Sequence, residues 1–244
     1  MCCRYFAYPN LYKGGIMTAG FYGKMPCKGD FVGRGLPRTL LGVLDPWFQQ
    51  GLAQSRQQLG ERWLGYYLVS PVWYFYLAAD VVAEQAWVGV FIPSVDKVGR
   101  HFPCWIMLPL DAELTDLTAF EAQYPVLNRA ADLLLDALEE DFDFERFCQQ
   151  VAQLQAVARV PGSGSGSVAA TDLSLPIMEN IYQARAGWAR MPLDQRVAAP
   201  CLWSSEGSET FAPQLRVTDG LPDPTLFGQF LTAEGCGHLS EADR

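Results

Sequence analysis

The sequence predicts an α/β fold: a three-layer α/β/α sandwich whose mixed sheet contains an antiparallel meander. Three observations carry this. Runs at 66–78, 86–92 and 104–110, rich in aromatic and β-branched residues, follow one another with no helical pattern between them. Helical periodicities flank them in sequence on both sides. Half of the 244 residues are hydrophobic (50%), enough to cover both faces of a sheet without disulfides or metals.

Residues 1–16 show neither a helical nor a strand period and precede an internal Met17, so they are expected to be an extension outside the domain. Residues 17–244 read as one α/β domain. Glycines at 20, 23, 29, 33 and 35 then mark a short strand followed by a closely turned loop. Asp45-Pro46 reads as an N-cap with proline in the first helical turn. Phe48, Leu52, Leu59 and Trp63 follow on one helical face. The three strand runs are near-continuously apolar, the pattern of strands buried on both sides. Two helices come next, one marked by Leu127, Ala131, Leu134, Leu135 and Leu138, the other by Phe144, Phe147, Val151 and Leu154. The stretch PGSGSGS at 161–167 reads as a flexible loop. Beyond it a helix is expected over 176–191, a strand over 199–203 and a last short helix over 223–231.

Charge excludes some functions. The net charge of −9 argues against nonspecific binding to nucleic acid or anionic lipid, which needs clustered Lys and Arg. No apolar run reaches the ~20 residues that cross a bilayer. Charged residues are 18% of the chain, below the usual quarter or so. A sparsely charged surface suits a protein held in a complex. The seven cysteines form no C-x-x-C pair, and Cys104, Cys148 and Cys201 sit in apolar stretches, so they are expected to be buried, reduced and cytoplasmic. With only two histidines, one of them His238 near the C-terminus, no metal or other cofactor is expected.

Two polar segments stand out. In GFYGKMPCKGDFVGRGLP (20–37), Lys24, Lys28 and Arg34 gather in a glycine-rich loop of an acidic chain. They suit an anion contact, with backbone N–H groups exposed at the glycines. Equally, Asp30 could pair with Arg34 or Lys24 in a purely structural loop; the phosphate-loop pattern G-x-x-x-x-G-K-[ST] is absent. In PSVDKVGRHFP (93–103), Ser94, Asp96, Lys97, Arg100 and His101 lie between two strands. A hydrolase would use Ser94 as nucleophile with His101 as its base, but no G-x-S-x-G elbow surrounds Ser94. The competing account has Ser94 and Asp96 capping backbone N–H groups while Arg100 pairs with Asp96. Either way the exposed groups form a recognition surface. Most of the seven tryptophans are expected in the core, with Trp188 and Trp203 the candidate interface anchors.

These two segments, with LWSSEGS (202–208) and GLPDPTLFGQFL (220–231), resemble the TagF (ImpM) family of type VI secretion-associated proteins. Ser204 departs from the pattern, standing where a second tryptophan is expected. The resemblance implies an α/β/α sandwich and a cytoplasmic, post-translational repressor of type VI secretion. It implies a partner, the forkhead-associated (FHA) domain scaffold of that system, and no enzymatic activity. The alternatives from a different class are a hydrolase and an anion-sensing ligand-binding protein.

Overall fold

The computed structural model describes residues 18–158, 199–209 and 211–232. The expected extension, the 161–167 loop, the 176–191 helix, Trp188 and His238 lie outside them.

Seven strands form one sheet: β1 (Gly20–Gly23), β2 (Val32–Arg34), β3 (Trp73–Leu77), β4 (Trp87–Ile92), β5 (Cys104–Pro109), β6 (Pro200–Ser205) and β7 (Gln214–Asp219), in the order β2-β1-β5-β4-β3-β6-β7. The meander β3-β4-β5 is present, and helices cover both faces as predicted. Among the described residues the sheet is not mixed, however: every pairing is antiparallel. The helical connections explain the difference. They join β2 to β3 and β5 to β6, strands that are not neighbours in the sheet, so no parallel crossover pair arises.

Side chains alternate along each strand between two cores. Tyr74, Tyr76, Val88, Val90, Ile106, Leu108 and Leu202 face a largely aliphatic core. It is closed by α3 (Leu117–Glu121), α4 (Tyr124–Asp136) and α5 (Phe144–Ala152). Trp73, Phe75, Trp87, Phe91, Trp105 and Trp203 face the other way, into an aromatic core under α1 (Arg38–Leu59) and α2 (Trp63–Leu68). The chain's C-terminal 3-10 turn (Pro224–Leu226) and the single turn α6 (Gly228–Leu231) complete that layer, bringing Phe227 and Phe230 against Trp47.

Four expectations change. Helix α1 begins at Arg38 and runs through Pro46, so Asp45 is not its N-cap. A proline inside a helix costs about 3 kcal/mol. Burying Leu40, Leu44, Trp47, Phe48 and Leu52 on one stripe returns about 1.5–3 kcal/mol each, and the stripe prevails. Residues 66–68, expected as strand, belong to α2, because Trp63 and Tyr67 bury one helical face and the strand forms only after Pro71. Trp203 is a core residue rather than a surface anchor: it is buried, stacks on Trp47 at 5.5 Å, and donates from Nε1 to Thr218 Oγ1 (3.1 Å). Its neighbour Ser204 projects to the opposite face and meets the Tyr124 hydroxyl at 2.8 Å. Finally, no strand is expected from sequence at 214–219, although Leu215 and Val217 alternate with Gln214, Arg216 and Thr218; the alternation is only five residues long and follows a polar loop.

Gly89, at the centre of the meander, leaves room for the ring of its cross-strand neighbour Phe75. A Cβ there would overlap Phe75 Cζ and lie 2.6 Å from the Ile106 carbonyl oxygen. Gly89→Ala is expected to lower unfolding free energy by about 1–3 kcal/mol in urea titrations. Adding Phe75→Leu should recover part of that loss, since the overlap is mainly with the ring.

Candidate functional site

β1 and β5 are neighbours with Gly23 paired to Cys104, so the loop leaving β1 and the loop entering β5 emerge side by side. Gly23 makes the join. Its φ is +142°, and a Cβ there would strike the Pro103 carbonyl and lie 2.5 Å from Cys104 Cα. The two polar segments singled out in sequence thus meet in space.

Asp96 holds them together. Its Oδ1 accepts from the Val98 and Arg100 backbone N–H groups at 3.1 and 2.9 Å, closing the turn around its own loop. Its Oδ2 accepts from Lys24 Nζ at 2.9 Å and from Arg100 Nε at 2.6 Å. Lys24 and Asp96 are both buried. Burial by itself would raise the Asp96 carboxyl. The Arg100 N–H and the Lys24 and Arg100 side chains overcome that and hold it well below the usual carboxylate range. Arg100 then reaches back to the Gly29 carbonyl at 2.6 Å, and the Lys97 N–H donates to the Lys28 carbonyl at 2.8 Å. Each loop therefore satisfies the other's backbone.

Ser94 serves the same union. Its hydroxyl donates to the Lys24 carbonyl at 2.7 Å, while the Tyr67 hydroxyl donates to the Ser94 carbonyl (2.8 Å) and accepts from its N–H (3.0 Å). The proton a base would need to take from Ser94 is committed to a main-chain carbonyl. His101 packs edge-on to Trp63 and Tyr67, at 5.6 and 5.4 Å. Burial, then the charges of Arg56 and Lys24, push its pKa down against the pull of Asp96.

The remaining predicted residues separate. Arg34 meets Glu145 at 3.5 Å on α5, and Lys28 Nζ sits 4.2 Å above the Phe144 ring. Asp30, expected to pair with Arg34 or Lys24, accepts from the Phe31 N–H at 2.8 Å instead. Lys97 and Arg100 stay exposed at the loop tip. Tyr67 was missed as a site residue because the strand assigned to 66–78 concealed its helical placement. Two concavities of about 410 and 500 Å³ lie elsewhere, and neither is lined by a residue of these loops. Among the described residues, no three of His, Cys, Asp and Glu converge to hold a metal, and no helix is long and apolar enough to cross a membrane.

The model of the TagF N-terminal domain, type VI secretion system-associated, matches residues 20–154, which contain both loops. The chain belongs to the TagF family. It is also similar to PA0076 from Pseudomonas aeruginosa PAO1, whose crystal structure superposes with a TM-score of 0.70 at 35% identity. That likeness covers 89% of this chain and 96% of PA0076. Comparison with curated proteins returns no match. Membership in the TagF family makes this a type VI secretion-associated protein, and both latched loops lie within the matched span.

Replacing the latch carboxylate by an amide leaves Lys24 buried without a counter-charge. Asp96→Asn is expected to cost about 3 kcal/mol, the low end for breaking a buried pair because Arg100 remains partly in solvent. The native carboxyl is depressed relative to about 3.9 in the unfolded chain. Its contribution is therefore full above about pH 5 and fades as pH falls below 4 toward the native value. Urea midpoints measured from pH 6 down to pH 3 should drop more steeply for the wild type than for Asp96→Asn.

Proposed function

We propose that this protein is a post-translational negative regulator of a type VI secretion system, working in the cytoplasm by binding the FHA-domain scaffold protein and not by catalysis. One observation carries the reading: the two polar loops within the family span fold into a single interlocked surface whose Ser94 and Asp96 are spent on structure. Such a surface offers shape and charge to a partner, with its backbone groups already satisfied and little ordering left to lose on binding. Hydrolysis through Ser94 and His101 draws no support from this geometry, because the hydroxyl donates away from the imidazole. The cytoplasmic placement is supported by the described cysteines, all free. Cys104, Cys148 and Cys201 are buried, with burial pushing the Cys148 thiol up to about 11 and the Cys201 thiol up to about 12.

Deleting the gene in the native bacterium should raise effector secretion with no change in the abundance of the secretion components, and the purified protein should retain the system's FHA-domain scaffold in a pull-down. Complementation with Asp96→Asn should restore repression only partly. Unchanged secretion in the deletion strain, together with no retained scaffold, would remove the proposal.

A further inference from the structure

The latched loop does not end at its own tip; it is fastened to α2. Tyr67 exchanges two hydrogen bonds with Ser94, and His101 packs on Trp63 and Tyr67, so α2 and residues 94–101 are held as one body. Trp63 and Tyr67 bury one face of this six-residue helix. Its outward side is unusually apolar for surface: Leu68 is 58% exposed and Leu64 is also exposed, and Val69, just past the helix end, is 55% exposed. At the loop tip Val98 is 68% exposed, between the exposed Lys97 and Arg100. Beside α2 runs the open 500 Å³ groove, whose lining includes Arg62, Tyr66, Val69, Phe211 and Leu231.

The charge around these groups runs against that of the chain. Arg56 lies 4.2 Å over the Trp63 ring and Arg62 6.0 Å from the Tyr66 ring, both exposed, while Lys97 and Arg100 flank Val98. Of the nearby carboxylates, Asp96 is buried under Lys24 and Arg100, which leaves Glu61 at the groove. A basic surface with exposed aliphatic side chains, on a protein of net charge −9, is complementary to one kind of ligand.

We propose that the outer face of α2 and the 97–100 tip form one docking surface for an acidic protein segment carrying apolar side chains. The inference rests on the regulatory reading above and names the surface and the partner chemistry it uses. Apolar side chains of the segment would pack on Leu64, Leu68 and Val98, and its carboxylates would meet Arg56, Arg62, Lys97 and Arg100. An anionic membrane fits less well. Fewer than two turns of helix bury too little apolar area to hold a protein at a bilayer.

The test titrates the full-length protein against the purified FHA-domain scaffold and, separately, against phosphatidylglycerol vesicles, using wild type, Leu64→Ser/Leu68→Ser and Arg56→Glu/Arg62→Glu. Thermal midpoints of all three monitor folding. The serine pair is expected to weaken scaffold binding about tenfold while keeping its salt dependence. The glutamate pair is expected to weaken it about tenfold at low salt and to flatten that dependence. Scaffold binding that is as tight in both variants as in the wild type overturns the docking surface and leaves the regulatory reading standing. A wild type that does not bind the scaffold at all defeats the regulatory reading, and this inference with it. Wild-type binding to the vesicles that the serine pair abolishes overturns the choice of a protein segment as ligand.

Discussion

The buried carboxylate of Asp96 is the constraint on which the two polar loops at this end of the molecule depend. Taking a charge out of water is costly, and it is tolerated here because four donors converge on the two oxygens: two backbone N–H groups, an ammonium and a guanidinium. One of those donors, Lys24, lies 72 residues from Asp96 in the chain, while the others lie within its own loop. The same contacts that stabilise the charge therefore specify how the two loops sit against each other. A hydrophobic pair in that position could hold the loops together as firmly, yet it would not dictate the turn around residues 96–100 that presents Lys97, Val98 and Arg100 outward.

That latch needs a stiff base, which the sheet supplies by dividing its faces. Aliphatic side chains pack under α4 and α5, while tryptophans and phenylalanines interleave edge-on and stacked beneath α1. The aromatic layer tolerates few rearrangements, because large planar rings at close-packed density have few alternative fits. Its last members come from the C-terminal turn. There Arg216, buried on β7, binds Gln214 on its own strand and Gln229 on α6, with Nη1 2.8 Å from Gln229 Oε1. This guanidinium has amide oxygens rather than a carboxylate as its partners, and burial pushes its pKa down to about 10. It ties the edge strand to the helical layer through hydrogen bonds rather than through an ion pair.

The family match spans residues 20–154, but the folded unit needs more than that span. β6 completes the pairing of β3, and Phe227 and Phe230 fill the aromatic layer beside Trp47 and Trp73. A chain cut after α5 would expose the β3 edge and the part of the aromatic core around Trp47 and Trp73. The latched loops lie at the other edge of the meander, so the two regions answer to different demands: one closes the core, the other shapes a surface.

By itself the sequence determined the layers and the meander. Apolar runs rich in β-branched and aromatic residues point to buried strands, though 66–68 of the first run went to a helix, and the 127–138 and 144–154 periodicities point to helices laid over them. It also singled out the two polar loops, since their Lys, Asp and Arg residues interrupt the apolar runs of the neighbouring strands. Tertiary structure decided the rest. The path of α1 through Pro46, the burial of Trp203, the antiparallel direction of every strand pair and the choice of Asp96 over Asp30 as partner for Lys24 all depend on which distant residues arrive at the same point. Local propensity carries no information about that arrival; the energy that settles it belongs to contacts between segments far apart in the chain.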